Sequence, residues 1–115
     1  MSQLQKIAVI GGGSWATAIV KMLGENVDRL WWWMRNEETI LHIQKHGHNP
    51  NYISAAELKK EKLNISSDLN AIVSEADTLV LAVPSAFLKQ TLAQLNTDIK
   101  DKFIISAIKG IVPEN

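Results

Sequence analysis

One stretch near the start of the chain constrains the fold more than any other: a short apolar run that stops at three successive glycines. Lys6-Ile7-Ala8-Val9-Ile10 is rich in β-branched residues and shows no polar alternation before Gly11-Gly12-Gly13. That is the pattern of a strand buried on both faces. The period then changes. Ala16, Ile19, Val20 and Leu23 fall at i, i+3, i+4 and i+7, an apolar helix stripe from which Lys21 points away and for which Gly24 supplies a C-terminal stop. Strand, glycine turn and helix therefore follow in series.

The same alternation continues along the chain. A second strand is expected over about Asp28 to Met34. Asn36 is placed to cap the next helix, whose first turn carries Glu37 and Glu38 and which ends near Gly47. The stretch from His46 to Lys62 lacks periodicity and reads as a connection. A short strand around Leu63 to Ser66 precedes a small helix capped by Ser67 or Asp68 and running to about Ser74. Thr78 to Val83 is a buried strand halted by Pro84. Ser85 is then expected to cap a helix with Leu88, Leu92 and Leu95 on one face, and a fifth strand covers Lys102 to Ile108. Strands that alternate with helices and are apolar on both faces imply a parallel sheet with right-handed crossovers, since each helix must cover a face. The expected fold is α/β, a Rossmann-type doubly wound sheet with strand order 3-2-1-4-5. Ligands of such sheets bind at the carboxyl ends of the strands, near the switch point between the first strand and the fourth. The glycine turn, Arg35, Pro84 and Lys109 all fall at those ends.

Gly11-Gly12-Gly13-Ser14-Trp15-Ala16 matches G-x-G-x-x-G/A, with Gly11, Gly13 and Ala16 in the three small positions. Gly11 permits a tight turn, Gly13 lets the backbone approach a pyrophosphate, and Ala16 keeps helix and strand close. The N–H groups and positive end of the helix would then face phosphate, a term of roughly 0.3 to 2 kcal/mol per anionic group. Ser14 and Trp15 open the helix, where they contact phosphate or ribose or else serve as a cap and a packed aromatic. At the end of the second strand, where an acid would bind a ribose 2′-hydroxyl, the chain has Arg35; its forked guanidinium, with Asn36 beside it, suits a 2′-phosphate, so either a preference for NADP(H) or use of both NADP(H) and NAD(H) is expected. Glu37 and Glu38 are read as solvent-facing residues that favour the helix dipole.

Other features point away from alternative chemistries. Trp31-Trp32-Trp33 sends Trp31 and Trp33 to one face and Trp32 to the other, which favours core packing over a stacking platform for nucleic acid, because no basic groove accompanies it. The 12 basic and 12 acidic side chains cancel, so neither nucleic acid nor an anionic membrane is expected as a partner. His42, His46 and His48 lack neighbouring acidic or sulfur ligands and read as ordinary histidines, with no metal expected. The absence of cysteine removes disulfides and thiolate sites. The run Ile7 to Ile10 is too short for a signal core or a membrane span, so an intracellular, cytoplasmic location is expected. At 115 residues and 46% apolar content the chain has the size and composition of one domain.

With those residues in view, the chain is similar to bacterial NAD(P)-dependent glycerol-3-phosphate dehydrogenases over essentially its whole length. The resemblance rests on Ile10-Gly11-Gly12-Gly13-Ser14-Trp15-Ala16-Thr17-Ala18, Trp33-Met34-Arg35-Asn36, His48-Asn49-Pro50-Asn51-Tyr52-Ile53, Ala82-Val83-Pro84-Ser85 and Ser106-Ala107-Ile108-Lys109-Gly110. Gly12 and Ala16 replace combinations commoner in the family, and Ala fits the third small position. The resemblance implies cofactor contacts from Ser14, Trp15, Arg35, Tyr52 and Lys109, and a substrate contact from Lys109. It implies that residues 1–115 are the cofactor domain, cut before a helical domain that carries the acid/base lysine, so that no catalytic residue lies within the chain. It also implies hydride transfer between the nicotinamide C4 and C2 of dihydroxyacetone phosphate or sn-glycerol 3-phosphate, a role in phospholipid precursor supply, and an exposed apolar surface that promotes self-association. Two other readings stand beside it: the cofactor half of another dehydrogenase, such as a 6-phosphogluconate or ketopantoate type, and a stand-alone NAD(H)-sensing module.

Overall fold

The structure is a computed structural model that describes residues 6–47, 58 and 60–107. Its elements are β1 (Ile7–Ile10), α1 (Ser14–Gly24), β2 (Leu30–Trp33), α2 (Glu37–His46), β3 (Leu63–Ser66), α3 (Leu69–Glu75), β4 (Thr78–Leu81), α4 (Ser85–Leu92) and β5 (Phe103–Ser106), with a 3₁₀ turn at Lys60–Lys62. The five strands are parallel and lie in the order β3-β2-β1-β4-β5, as the alternating pattern predicts. At the centre Val9 stands between Trp32 and Val80.

Both faces of the sheet are covered. On one, Val9, Trp32 and Val80 pack beneath Ala16 and Val20 of α1 and Ile40 and Ile43 of α2; on the other, Ile10, Trp33 and Leu79 pack beneath Ile72 and Val73 of α3. Each fully buried aliphatic side chain contributes about 1.5–3 kcal/mol relative to exposure. The tryptophans divide by strand geometry, Trp32 with the first layer and Trp31 and Trp33 with the second. The two buried indoles also satisfy their polar atoms: Trp32 Nε1 donates to the Gly11 carbonyl at 2.6 Å, and Trp33 Nε1 donates to the Ser67 carbonyl at 2.9 Å.

Helix ends follow side-chain chemistry at α2 and α3. The Asn36 and Asp68 carboxamide and carboxylate oxygens each accept a backbone N–H three residues on, from Thr39 and Ala71, both at 3.1 Å. Gly47 closes α2 in the left-handed conformation, φ 80°.

Four expectations need correction. Gly24 is the last helical residue of α1, and the cap is Glu25 at a right-handed φ of −75°. No left-handed glycine is required there, because Lys62 Nζ donates to the carbonyls of Gly24 and Val27, both at 3.0 Å. Neither Ser14 nor Ser85 is a cap: Gly13 and Pro84 hold those positions, and Pro84 already has the extended ψ of 142° that a cap residue needs. On α4 the inward residues are Leu88 and the buried Thr91, with Leu95 packing from beyond the helix end; Leu92 sits on the exposed flank. Finally, β5 is not sandwiched like its neighbours. Phe103, Ile104 and Ile105 are 73%, 44% and 51% exposed, because β5 is the outer strand and no described element packs across it.

Candidate functional site at the strand ends

The β1–α1 turn is wedged between two strands. Gly11 has φ 138°, and a Cβ placed there would lie 2.6 Å from the Ala82 carbonyl oxygen at the end of β4. A Cβ on Gly12 would lie 2.7 Å from Met34 Cβ, just beyond β2. Only small residues let the turn settle so deeply. Its backbone is tied in place: Gly11 N–H donates to the Trp33 carbonyl at 2.9 Å, and the buried Thr17 donates to the Gly13 carbonyl through both its N–H at 3.0 Å and its hydroxyl at 2.8 Å.

Gly13 differs from its neighbours. No atom lies within 4 Å of a Cβ built on it, and as the residue that caps α1 it brings no side-chain oxygen to the first turn. The start of α1 therefore opens on empty space with its positive end unneutralised by its own cap.

That space is a groove of about 270 Å³ across the carboxyl ends of β1, β2 and β4. Gly11, Gly12, Gly13, Arg35, Asn36 and Pro84 all line it, so six of the residues expected at a ligand site are brought together. The Asn36 carboxamide oxygen is occupied by the Thr39 N–H, which leaves its amide nitrogen as the donor the side chain can offer. Arg35 is exposed and makes no ion pair among the described residues. The walls are apolar, from Met34, Val83 and Phe87. A cleft with apolar walls, one guanidinium and one helix N-terminus suits a flat base joined to anionic groups.

Trp15 stands apart from the groove lining: it is 43% exposed and donates its indole N–H to the Ala107 carbonyl beyond β5. The indole thus spans the gap from α1 to the far side of β4, away from Arg35. Tyr52 and Lys109 lie outside the described residues, as does His48. Sequence reasoning missed the α4 wall, Phe87, Gln90, Thr91 and Gln94. Their spacing of i, i+3, i+4 and i+7 after Pro84 is the signal that marks a second helix face turned to the groove.

Glu37 does not join the groove. Its carboxylate accepts the Ser67 hydroxyl at 2.8 Å, and it borders a separate depression with Ile40, Leu41, Ser66 and Ser67. The His42 and His46 rings lie 4.6 Å apart at 48°, with His42 half-buried, and no group of three or more His, Asp or Glu side chains that could hold a metal occurs among the described residues. No helix among those residues is long and apolar enough to cross a membrane.

Residues 6–115 match a sequence family described as NAD-dependent glycerol-3-phosphate dehydrogenase N-terminus. The chain is 36% identical over 111 residues to a glycerol-3-phosphate dehydrogenase [NAD(P)+] of Ectopseudomonas mendocina, covering 96% of this chain and 32% of that protein. It is 33% identical over 112 residues to the enzyme of the same name from Bacillus licheniformis, with 96% and 32% covered. Among solved structures, the glycerol-3-phosphate dehydrogenase of Saccharomyces cerevisiae superposes with a TM-score of 0.79 at 28% identity, over 94% of this chain and 34% of that one. The chain thus spans about a third of the length of the curated relatives it matches.

Proposed function

This chain belongs to the NAD-dependent glycerol-3-phosphate dehydrogenase family, matching its N-terminal part, and from that membership we propose that it holds NAD(P)(H) across the β1–α1 turn. The observation that carries this reading is the contrast within the turn. Gly11 and Gly12 are jammed against β4 and Met34, while Gly13 faces open space at the start of a helix. A turn so deeply seated, with its third glycine clear, leaves room for a diphosphate against backbone and nothing bulkier than hydrogen in its way.

On this reading, Gly11, Gly12 and Gly13 with the first turn of α1 at Ser14 and Trp15 cradle the diphosphate. Met34, Val83 and Phe87 take the adenine, Pro84 shapes the far lip, and Arg35 and Asn36 take the ribose 2′ position, with preference for a phosphate there. Tyr52 and Lys109 are assigned to the cofactor by the resemblance, and Lys109 to the substrate's anionic group as well. When bound, the nicotinamide would exchange a hydride with C2 of the substrate, giving it to dihydroxyacetone phosphate in one direction and taking it from sn-glycerol 3-phosphate in the other. The chain's own contribution is to fix the dinucleotide's orientation and keep water from the adenosine and diphosphate.

We further propose that residues 1–115 are the cofactor-binding domain of a longer cytoplasmic enzyme that supplies phospholipid precursors, with the acid/base lysine in a helical domain. The greater length of the relatives supports this division. The exposed face of β5 is then a surface that a second copy of the chain covers in the isolated domain. Calorimetric titration of the 115-residue chain with NADPH, beside an assay with NADPH and dihydroxyacetone phosphate, tests the proposal. Saturable binding without dehydrogenase turnover is expected. Absence of binding at millimolar NADPH, or turnover resembling an intact dehydrogenase, would contradict it.

A further inference from the structure

Two carboxylates follow Arg35 closely in the chain, and either would compete for its guanidinium if it turned toward the groove. The structure shows where Glu37 goes instead. Its carboxylate accepts the Ser67 hydroxyl at 2.8 Å, on the side of α2 that borders Ser66 and Ile40 and not the groove that Arg35 lines. Ser67 is a firm anchor. Its carbonyl accepts the indole N–H of the buried Trp33 at 2.9 Å, and the next residue, Asp68, is held by capping α3. The tie therefore runs from the core, through the β3–α3 turn, to an acid two positions from the groove's guanidinium.

We propose that Ser67 is a specificity-determining positioning residue: by holding Glu37 off Arg35 it keeps the ribose 2′ position positive and favours a cofactor that carries a 2′-phosphate. This rests on the dinucleotide reading above. Once released, Glu37 has two courses, and both erode phosphate preference. It pairs with Arg35 and occupies the fork, or it faces the ribose, where a carboxylate accepts a 2′-hydroxyl and repels a 2′-phosphate. The start of α2 keeps its Asn36 cap and its acidic first turn in either case, so the helix itself has little reason to change.

The test uses the full chain and two small probes, adenosine 2′,5′-bisphosphate and adenosine 5′-monophosphate, by calorimetry. The ratio of their affinities reads the 2′ position alone; a merely structural loss would weaken both alike. Ser67→Ala should lower the ratio by about fivefold, the scale of one exposed ion pair, and Ser67→Thr, which keeps the hydroxyl, should retain it. Glu37→Gln should leave the ratio within about twofold, because that carboxylate is already turned away, and should make Ser67→Ala silent in its background. An unchanged ratio in Ser67→Ala, or a ratio that rises several-fold in Glu37→Gln alone, overturns the proposal. The second variant decides the matter should Ser67→Ala fail to fold. A wild-type chain that binds both probes equally overturns this proposal only; one that binds neither overturns the dinucleotide reading and this with it.

Discussion

Gly13→Ala separates what the glycine turn does for the fold from what it does for a ligand. The backbone at Gly13 is at φ −82° and ψ −173°, which alanine adopts freely, and no atom lies within 4 Å of the new Cβ. Two small effects on stability then oppose. Replacing glycine removes unfolded-state freedom and stabilises by about 0.4–1 kcal/mol, whereas alanine is a poorer N-cap than glycine by a similar amount, about 0.5–1 kcal/mol. The net change should stay within about 1 kcal/mol, or ~4 °C in Tm for a domain of this size. Affinity should behave differently. The methyl occupies the space assigned to the diphosphate, so loss of one charge-assisted hydrogen bond, about 1.5–3 kcal/mol, weakens NADPH binding by about 10- to 150-fold. Gly11→Ala supplies the contrast. There φ is 138° and the Ala82 carbonyl oxygen would be 2.6 Å away, so backbone strain of about 1–3 kcal/mol adds to a comparable cost of overpacking. Thermal melts and calorimetry on both variants read the two quantities. The reasoning is refuted if Gly13→Ala melts as early as Gly11→Ala, or if it binds NADPH as wild type does.

The remaining expectations concern single side chains. Arg35→Ala should weaken NADPH binding about tenfold or more and NADH binding much less; equal losses, or unchanged NADPH affinity by calorimetry, would remove Arg35 from the 2′ subsite. Phe87→Ala should leave stability nearly unchanged, since the ring is 48% exposed, yet lower affinity for adenosine 5′-monophosphate by an amount comparable to one base–aromatic stack, about 1–3 kcal/mol. Trp32→Phe orphans the Gly11 carbonyl, whose partner is the indole N–H at 2.6 Å, and should destabilise the chain by about 1–3 kcal/mol in urea unfolding. Light scattering should show association that increases with concentration, and Ile105→Lys on the exposed β5 should suppress it; a wild-type monomer at high concentration would count against that surface.

How much of this was legible beforehand depends on whether the signal was local. The buried run Ile7–Ile10 and the change of period after Gly13 predict strand, turn and helix because those patterns reflect burial directly, and the 3-2-1-4-5 order follows from alternation and crossover handedness. Arg35 and Asn36 are legible as neighbours at the end of a strand, and that position brings them to the groove. The misses have another origin. At the end of α1 the ammonium of Lys62, 38 positions from Gly24, reaches the Gly24 carbonyl, and nothing near Gly24 announces that. Phe87 and Gln90 gain a place in the site only once β4 and the glycine turn set a groove beside them. Serine usually caps a helix, but before Ser85 the proline already has the extended conformation of a cap. The exposure of β5 is likewise invisible in Phe103-Ile104-Ile105, which read as core in any sheet; position at the edge, not composition, decides it. Trp15 shows how far a partner can lie along the chain, since its indole finds the Ala107 carbonyl 92 residues away.

The most direct measurement is an amide chemical-shift titration of the isotopically labelled chain with NADPH. If the β1–α1 turn cradles the diphosphate, the largest shifts fall on the amides of Gly12 to Thr17, with a second set at Arg35 and Asn36 and little change in α3. Saturable binding that leaves Gly12 to Thr17 unmoved, with its shifts centred on another part of the sheet, would contradict the central claim.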